Sequence, residues 1–255
     1  MTRTKKVLAI LVVAGVIAGG YFLLRISPVL TTDNTGAEKV VLLHGFGRSD
    51  LAMIVLNSDL TAAGYDVHSI DYPSLVEPPE KLVELISADI NDCCRDGPET
   101  VHFVGHSFGG LLLRDYLSRE RPSDFGRVVL VGTPNKGSEL VNGDLDIAAQ
   151  ETLLEWAGPS AQALNTRPDG YPASLPPPDY PIGVIAGTRG NPLADQWLPV
   201  PNDGVVSVES ARLEGMADFI AIDVTHWDMR RDREVASQVV EFLREGRFNH
   251  GEGVE

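Results

Sequence analysis

The chain has 255 residues, with 36 acidic against 21 basic side chains and a formal charge of −15. That length suits one globular domain of the larger kind, or one domain with a short appendage. A hydrophobic share of 43% excludes a disordered or fibrous chain, and the acidity argues against a nucleic-acid binder, whose phosphate contacts need clustered Lys and Arg. The cysteines are two and adjacent, Cys93 and Cys94, which excludes a disulfide scaffold and leaves too few thiols for a structural zinc site.

Residues 7 to 24 (VLAILVVAGVIAGGYFLL) carry no charge, with Arg3, Lys5 and Lys6 before them and Arg25 after. Eighteen residues at about 1.5 Å each reach roughly 27 Å, close to the hydrocarbon thickness of a bilayer. Basic residues on the N-terminal flank keep that end cytoplasmic and place the remainder across the membrane, periplasmic or extracellular. The reading favoured is therefore an uncleaved single-pass anchor over residues 1–27. A signal peptide cleaved near Val16-x-Ala18, giving a secreted domain, is the alternative. Beyond residue 27 the chain holds 17 basic and 36 acidic residues, so it gains nothing from anionic headgroups and any membrane holding falls to the anchor. Residues 28–38 (PVLTTDNTGAE) read as a linker.

From residue 39 two periodicities alternate. Apolar, β-branched runs at 39–43, 65–70, 100–104, 126–131, 182–186 and 218–224 predict strands. Helix-like stretches lie near 50–63, 79–95, 108–119, 205–214 and 230–245. Runs without strict alternation suggest strands buried on both faces, hence a mostly parallel sheet covered by helices in an α/β fold over residues 39–248. Residues 138–181 break the rhythm, with six prolines from Pro168 to Pro181, and read as a lid-like insertion.

Gly105-His106-Ser107-Phe108-Gly109 follows a predicted strand and opens a predicted helix, the G-x-S-x-G arrangement of a nucleophile elbow. A serine there sits in a strained turn with its Oγ projecting above the sheet. The glycines remove Cβ atoms that would collide, and the helix N-terminus favours a developing oxyanion. A serine nucleophile needs a base and the base an orienting acid; after such an elbow they come in the order Ser, Asp/Glu, His. His226, in DVTHWDM after the last strand, is the expected base. His44 and His106 sit in loop motifs, His68 and His102 fall inside strands, and His250 is in the tail. Asp203, on the loop after the 182–186 strand, is the expected acid, with Asp195 as competitor. The amides of Phe108 and of Phe46, the latter in His44-Gly45-Phe46-Gly47 after the first strand, are the expected oxyanion donors.

These motifs resemble those of bacterial α/β-hydrolases of the lipase/esterase superfamily: LLHGFG at 42–47, VGHSFGG at 104–110, GTPNKGS at 132–138, NDGVVSVES at 202–210 and THWD at 225–228. The resemblance implies an α/β-hydrolase fold and supports Asp203 over Asp195, because the NDG-V-V-S stretch matches the segment that carries the acid. It also implies that GTPNKGS leads into a lid. Some similar lipases bind calcium through an aspartate two residues after the histidine; Asp228 has that spacing and Asp232 stands near an amide-ligand position, while a further acidic ligand is not found by motif.

The expected activity is hydrolysis of carboxylic esters, small-molecule or lipid, through an acyl-enzyme, with no cofactor. A short, only moderately apolar insertion speaks against insoluble triglyceride. Alternatives are deacylase or acyltransferase work on membrane lipids or glycolipids, an amidase or peptidase, and a non-catalytic binding protein. Cys93 and Cys94 are expected as packing thiols, since neighbouring Cα atoms lie about 3.8 Å apart, below the usual disulfide span.

Overall fold

A computed structural model describes residues 36–94, 99–142, 158–192, 194–195 and 197–251. The expected anchor, residues 1–27, and the linker up to residue 35 lie outside the described residues. Among the described residues no helix is long and apolar enough to cross a membrane.

The strands are β1 (Lys39–Leu43), β2 (Asp66–Ile70), β3 (Val101–His106), β4 (Phe125–Val131), β5 (Ile182–Gly187) and β6 (Asp218–Ile222). They form one six-stranded sheet in the order β2-β1-β3-β4-β5-β6, every pairing parallel. Parallel neighbours need crossovers, and helices supply them. Those that matter here are α1 (Ile54–Ala62), α2 (Pro79–Cys94), α3 (Phe108–Arg119) and, after three short helices, the C-terminal helix Arg233–Glu245. The short ones are Pro159–Ala163, Tyr171–Ser174 and Val208–Ala211, numbered α4 to α6, so the C-terminal helix is α7.

The inner strands β1, β3, β4 and β5 are largely buried because both faces are covered, whereas the edge strands β2 and β6 are only partly buried. Val41, Leu43, Phe103, Leu130 and Val184 face Leu82, Ile86 and Ile90 of α2 and Leu112 of α3. The intervening Val40, Leu42, Val104, Val129 and Ile185 face Leu56 and Leu60 of α1 and Val235, Val239 and Phe242 of α7. Successive side chains of a strand thus enter two different cores, as the pleat requires.

Helix boundaries differ from the expected ones for local reasons. Residues 205–214 form only the single turn of α6, because the amides of Val205 and Val206 donate to the Asp203 side chain instead of continuing a helix. The stretch 230–245 divides into a 3-10 turn (Met229–Arg231) and α7, since the carboxylate of Asp232 caps the amides of Glu234 and Val235 at 2.9 and 3.1 Å. Arg127 closes the other end of α7 by donating to the carbonyls of Leu243 and Arg244.

The insertion expected over 138–181 falls between β4 and β5, where the described residues form a 3-10 turn (Glu139–Asn142), α4 and α5. Its residues 143–157 lie outside the described residues.

The expectation of free thiols is overturned. Cys93 and Cys94 are disulfide-bonded to each other with Cα atoms 3.7 Å apart. They occupy the last turn of α2, where carbonyls have no intrahelical partner. The Cys93 carbonyl accepts from Lys39 Nζ instead, at 2.9 Å.

Candidate active site

β3 ends at His106, and the chain reverses into α3 through Ser107, which has φ 55° and ψ −125°. Among the described residues Ser107 is the one non-glycine with positive φ. L-residues resist this region, so surrounding structure must hold it. The Ser107 amide donates to Val131 O at 2.8 Å and its carbonyl accepts from Gly110 at 3.0 Å. A Cβ at Gly105 would stand 2.6 Å from Gly110 Cα, and one at Gly109 would stand 2.4 Å from the His44 carbonyl oxygen. Both contacts are backbone that cannot yield. The motif glycines are there because the turn is too tight for anything larger.

His226 follows β6, and its Nε2 lies 3.0 Å from Ser107 Oγ. Its Nδ1 lies 2.7 Å from Asp203 Oδ2. An ionised carboxylate only accepts, so Nδ1 carries the hydrogen and Nε2 keeps a lone pair for the serine hydroxyl. All three residues are buried. The other oxygen of Asp203 accepts the amides of Val205 and Val206 at 2.9 and 2.7 Å, and the His226 amide donates to the Asp203 carbonyl at 2.9 Å. Backbone therefore fixes the carboxylate and the imidazole to each other. Gly187, closing β5, lets Asp203 approach: a Cβ there would lie 2.7 Å from Asp203 Cβ.

Asp195 does not reach the imidazole in this way. Its Oδ1 accepts from Asn202 Nδ2 at 3.0 Å, and Asn202 Oδ1 in turn accepts the Gly204 amide at 2.8 Å. Asp195 thus braces the loop that presents Asp203.

The loop after β1 runs against the elbow. A Cβ at Gly45 would stand 3.0 Å from Ser107 Cβ, and the rings of Phe46 and Phe108 meet edge to face at 6.4 Å. His44 Nδ1 donates to the Gly45 carbonyl at 2.8 Å. Because the peptide is trans, the Phe46 N–H then points away from that ring. His44 is itself stacked on Tyr72 at 4.0 Å, and the Tyr72 hydroxyl donates to the His44 carbonyl. Asp71, 3.4 Å from His44 Nε2, has its carboxyl held below the usual range, chiefly by that contact. Phe108 opens α3, so its amide belongs to the first turn and lacks an intrahelical acceptor.

Sequence reasoning passed over His44 and His106 as loop residues, yet each shapes the site. His106 Nε2 donates to the His226 carbonyl at 3.1 Å, and the two rings stand 4.9 Å apart. Burial, and the nearness of His226 and Arg230, hold its pKa well below the usual value. The place of these histidines beside Gly45 and Ser107 in sequence was the available signal.

A family model for the alpha/beta hydrolase family matches residues 40–250. The chain belongs to the alpha/beta hydrolase family. No curated protein matches this hydrolase in sequence. Its fold is similar to that of a mature Bacillus licheniformis lipase, with TM-score 0.60 and 18% identity, over 85% of this chain and 94% of that one. It is also similar to a Pyrococcus furiosus esterase (TM-score 0.56, 18% identity, 83% of each chain). Similarity to a Legionella pneumophila phospholipase (TM-score 0.60, 13% identity) covers 84% of the hydrolase but 60% of that longer chain.

The calcium candidates are otherwise engaged. Asp228 Oδ2 accepts from Thr225 Oγ1 at 2.7 Å, and Asp232 caps α7. Among the described residues no group of three or more His, Cys, Asp or Glu side chains could hold a metal ion.

Proposed function

We propose that this hydrolase cleaves carboxylic esters through an acyl-enzyme formed on Ser107. The observation that carries the reading is the row of hydrogen bonds from Ser107 Oγ through His226 to Asp203, at 3.0 and 2.7 Å, on a serine held at positive φ. Ser107 Oγ attacks the ester carbonyl while His226 Nε2 takes its proton, and Asp203 stabilises the imidazolium that forms. The amides of Phe108 and Phe46 serve the oxyanion, each worth on the order of 3 kcal/mol of barrier in comparable sites. The imidazolium then protonates the departing alcohol. Water, deprotonated by the same imidazole, releases the acyl group and restores Ser107.

Ester chemistry is preferred over amide or peptide cleavage because the similar solved structures include a lipase, an esterase and a phospholipase. In this reading residues 1–27 anchor the chain, with the hydrolase domain on the extracytoplasmic side.

The test is turnover of 4-nitrophenyl esters of increasing acyl length by the full chain in non-ionic detergent. Ser107→Ala and His226→Ala, with circular dichroism matching the parent, should each lose activity by at least about a thousandfold. Turnover near the parent rate in either variant would overturn the assignment.

A further inference from the structure

Arg48 lies two residues beyond Phe46, on the loop that abuts Ser107. Its guanidinium carbon sits 4.9 Å over the Trp227 ring, and Trp227 meets the His226 imidazole edge-on at 5.4 Å. A cation is thus held one ring away from the imidazole, partly desolvated. Among the described residues no carboxylate pairs with it, and its buried Nε has no acceptor.

Its charged surroundings are more cations. Arg230 is buried, and its two terminal nitrogens donate to the carbonyls of Ala52 and Trp227 at 2.7 and 3.3 Å. Those acceptors are neutral, its Nε has none, and burial together with Arg48 and Arg231 holds its pKa down at about 10. Arg231 stands 3.7 Å from Asp228, and the charges of both reach Arg230. In a chain with 36 acids and 21 bases, three arginines close enough to feel one another, with Asp228 beside Arg230 and Arg231, run against the prevailing charge. Desolvated cations without a paired counter-charge, such as Arg48 and Arg230, are unfavourable, and an incoming anion relieves that. The acyl-transfer steps proposed for the Ser107 site use neither Arg48 nor the exposed part of Trp227.

We propose that Arg48, seated on Trp227, binds an anionic group, carboxylate or phosphate, carried by the ester substrate. The forked donors of a guanidinium match either oxyanion bidentately, and the indole face steadies the guanidinium while offering apolar surface to the substrate stem. The inference rests on the ester-hydrolase reading and adds a substrate class to it. The anion can belong to a soluble ester or to a lipid headgroup.

Two matched substrate pairs separate those sources in the full chain in non-ionic detergent. One is mono-4-nitrophenyl glutarate against 4-nitrophenyl pentanoate. The other is 1-decanoylglycerol 3-phosphate against 1-decanoylglycerol. The expected result is that the anionic-to-neutral ratio of kcat/KM in at least one pair falls tenfold or more in Arg48→Gln and only partly in Arg48→Lys. The responding pair names the source. An unchanged ratio in both pairs overturns the proposal, including the case where Arg48→Gln slows both members equally, which makes Arg48 a prop for its loop. A second readout needs no turnover: quenching of tryptophan emission by butyl phosphate in Ser107→Ala, with Trp227→Phe as the blank. Quenching lost in Ser107→Ala/Arg48→Gln supports the anion site, and quenching that persists contradicts it. Failure of the ester reading shows separately, as no hydrolysis of any of the four esters by the parent.

Discussion

His106 donates from Nε2 to the main-chain carbonyl of His226, 120 residues away in sequence and 3.1 Å away in space. The residue before the candidate nucleophile therefore holds the backbone of the candidate base. The ring can make this bond in either protonation state; burial, with His226 and Arg230 nearby, keeps it neutral.

That neutrality makes stability depend on pH. The folded pKa of His106 lies well below the ordinary histidine value of about 6.5, so below that pH the unfolded chain binds a proton that the folded chain refuses. Stability is present above that value and lost as pH falls, by about 1.4 kcal/mol per pH unit until the folded pKa is reached. His68 and His102, also lowered by burial, add with the same sign. Urea unfolding between pH 7 and 5 should show this decline, and His106→Gln, which can still donate but does not titrate, should make it shallower.

Asp203 and Asp195 should differ sharply in consequence. Asp203→Asn turns an acceptor of the Nδ1–H into a group that can favour the wrong tautomer, and kcat should fall by about four orders of magnitude. Asp195→Asn leaves the imidazole untouched and should alter kcat within a few-fold, because Asp195 bonds Asn202. Steady-state kinetics on one ester compares the two.

Gly109→Ala should damage folding as well as activity. Its Cβ would stand 2.4 Å from the His44 carbonyl oxygen and 2.8 Å from that of Leu43, both main chain. Such overpacking costs about 3 kcal/mol or more. Thermal unfolding should show a Tm lowered by roughly 10 °C.

The disulfide between Cys93 and Cys94 should matter little to either property. It joins adjacent residues, so it closes almost no loop in the unfolded chain and restrains almost no entropy. The double variant Cys93→Ser/Cys94→Ser should keep the parent Tm within about 2 °C and the parent kcat.

What could be read from the sequence was whatever lies in one local stretch. Apolar, β-branched runs marked all six strands, most plainly the inner ones, since a strand buried on both faces needs apolar residues at successive positions. The elbow was legible because its glycines answer a local steric demand at Ser107. Chain order put Asp203 and His226 forward, and the structure brings both to Ser107. Contacts across distant segments were not legible: His106 with His226, His44 with Tyr72, and Arg48 with Trp227 depend on how loops from different strand ends converge. The helix expected at 205–214 failed for a related reason, because Val205 and Val206 give their amides to Asp203.

The most direct measurement is labelling of the full chain with a fluorophosphonate, with the adduct located by peptide mass spectrometry. The account predicts one adduct, on Ser107, absent from His226→Ala and strongly slowed in Asp203→Asn. An adduct on another serine, or labelling of Ser107 at the parent rate in His226→Ala, would contradict it.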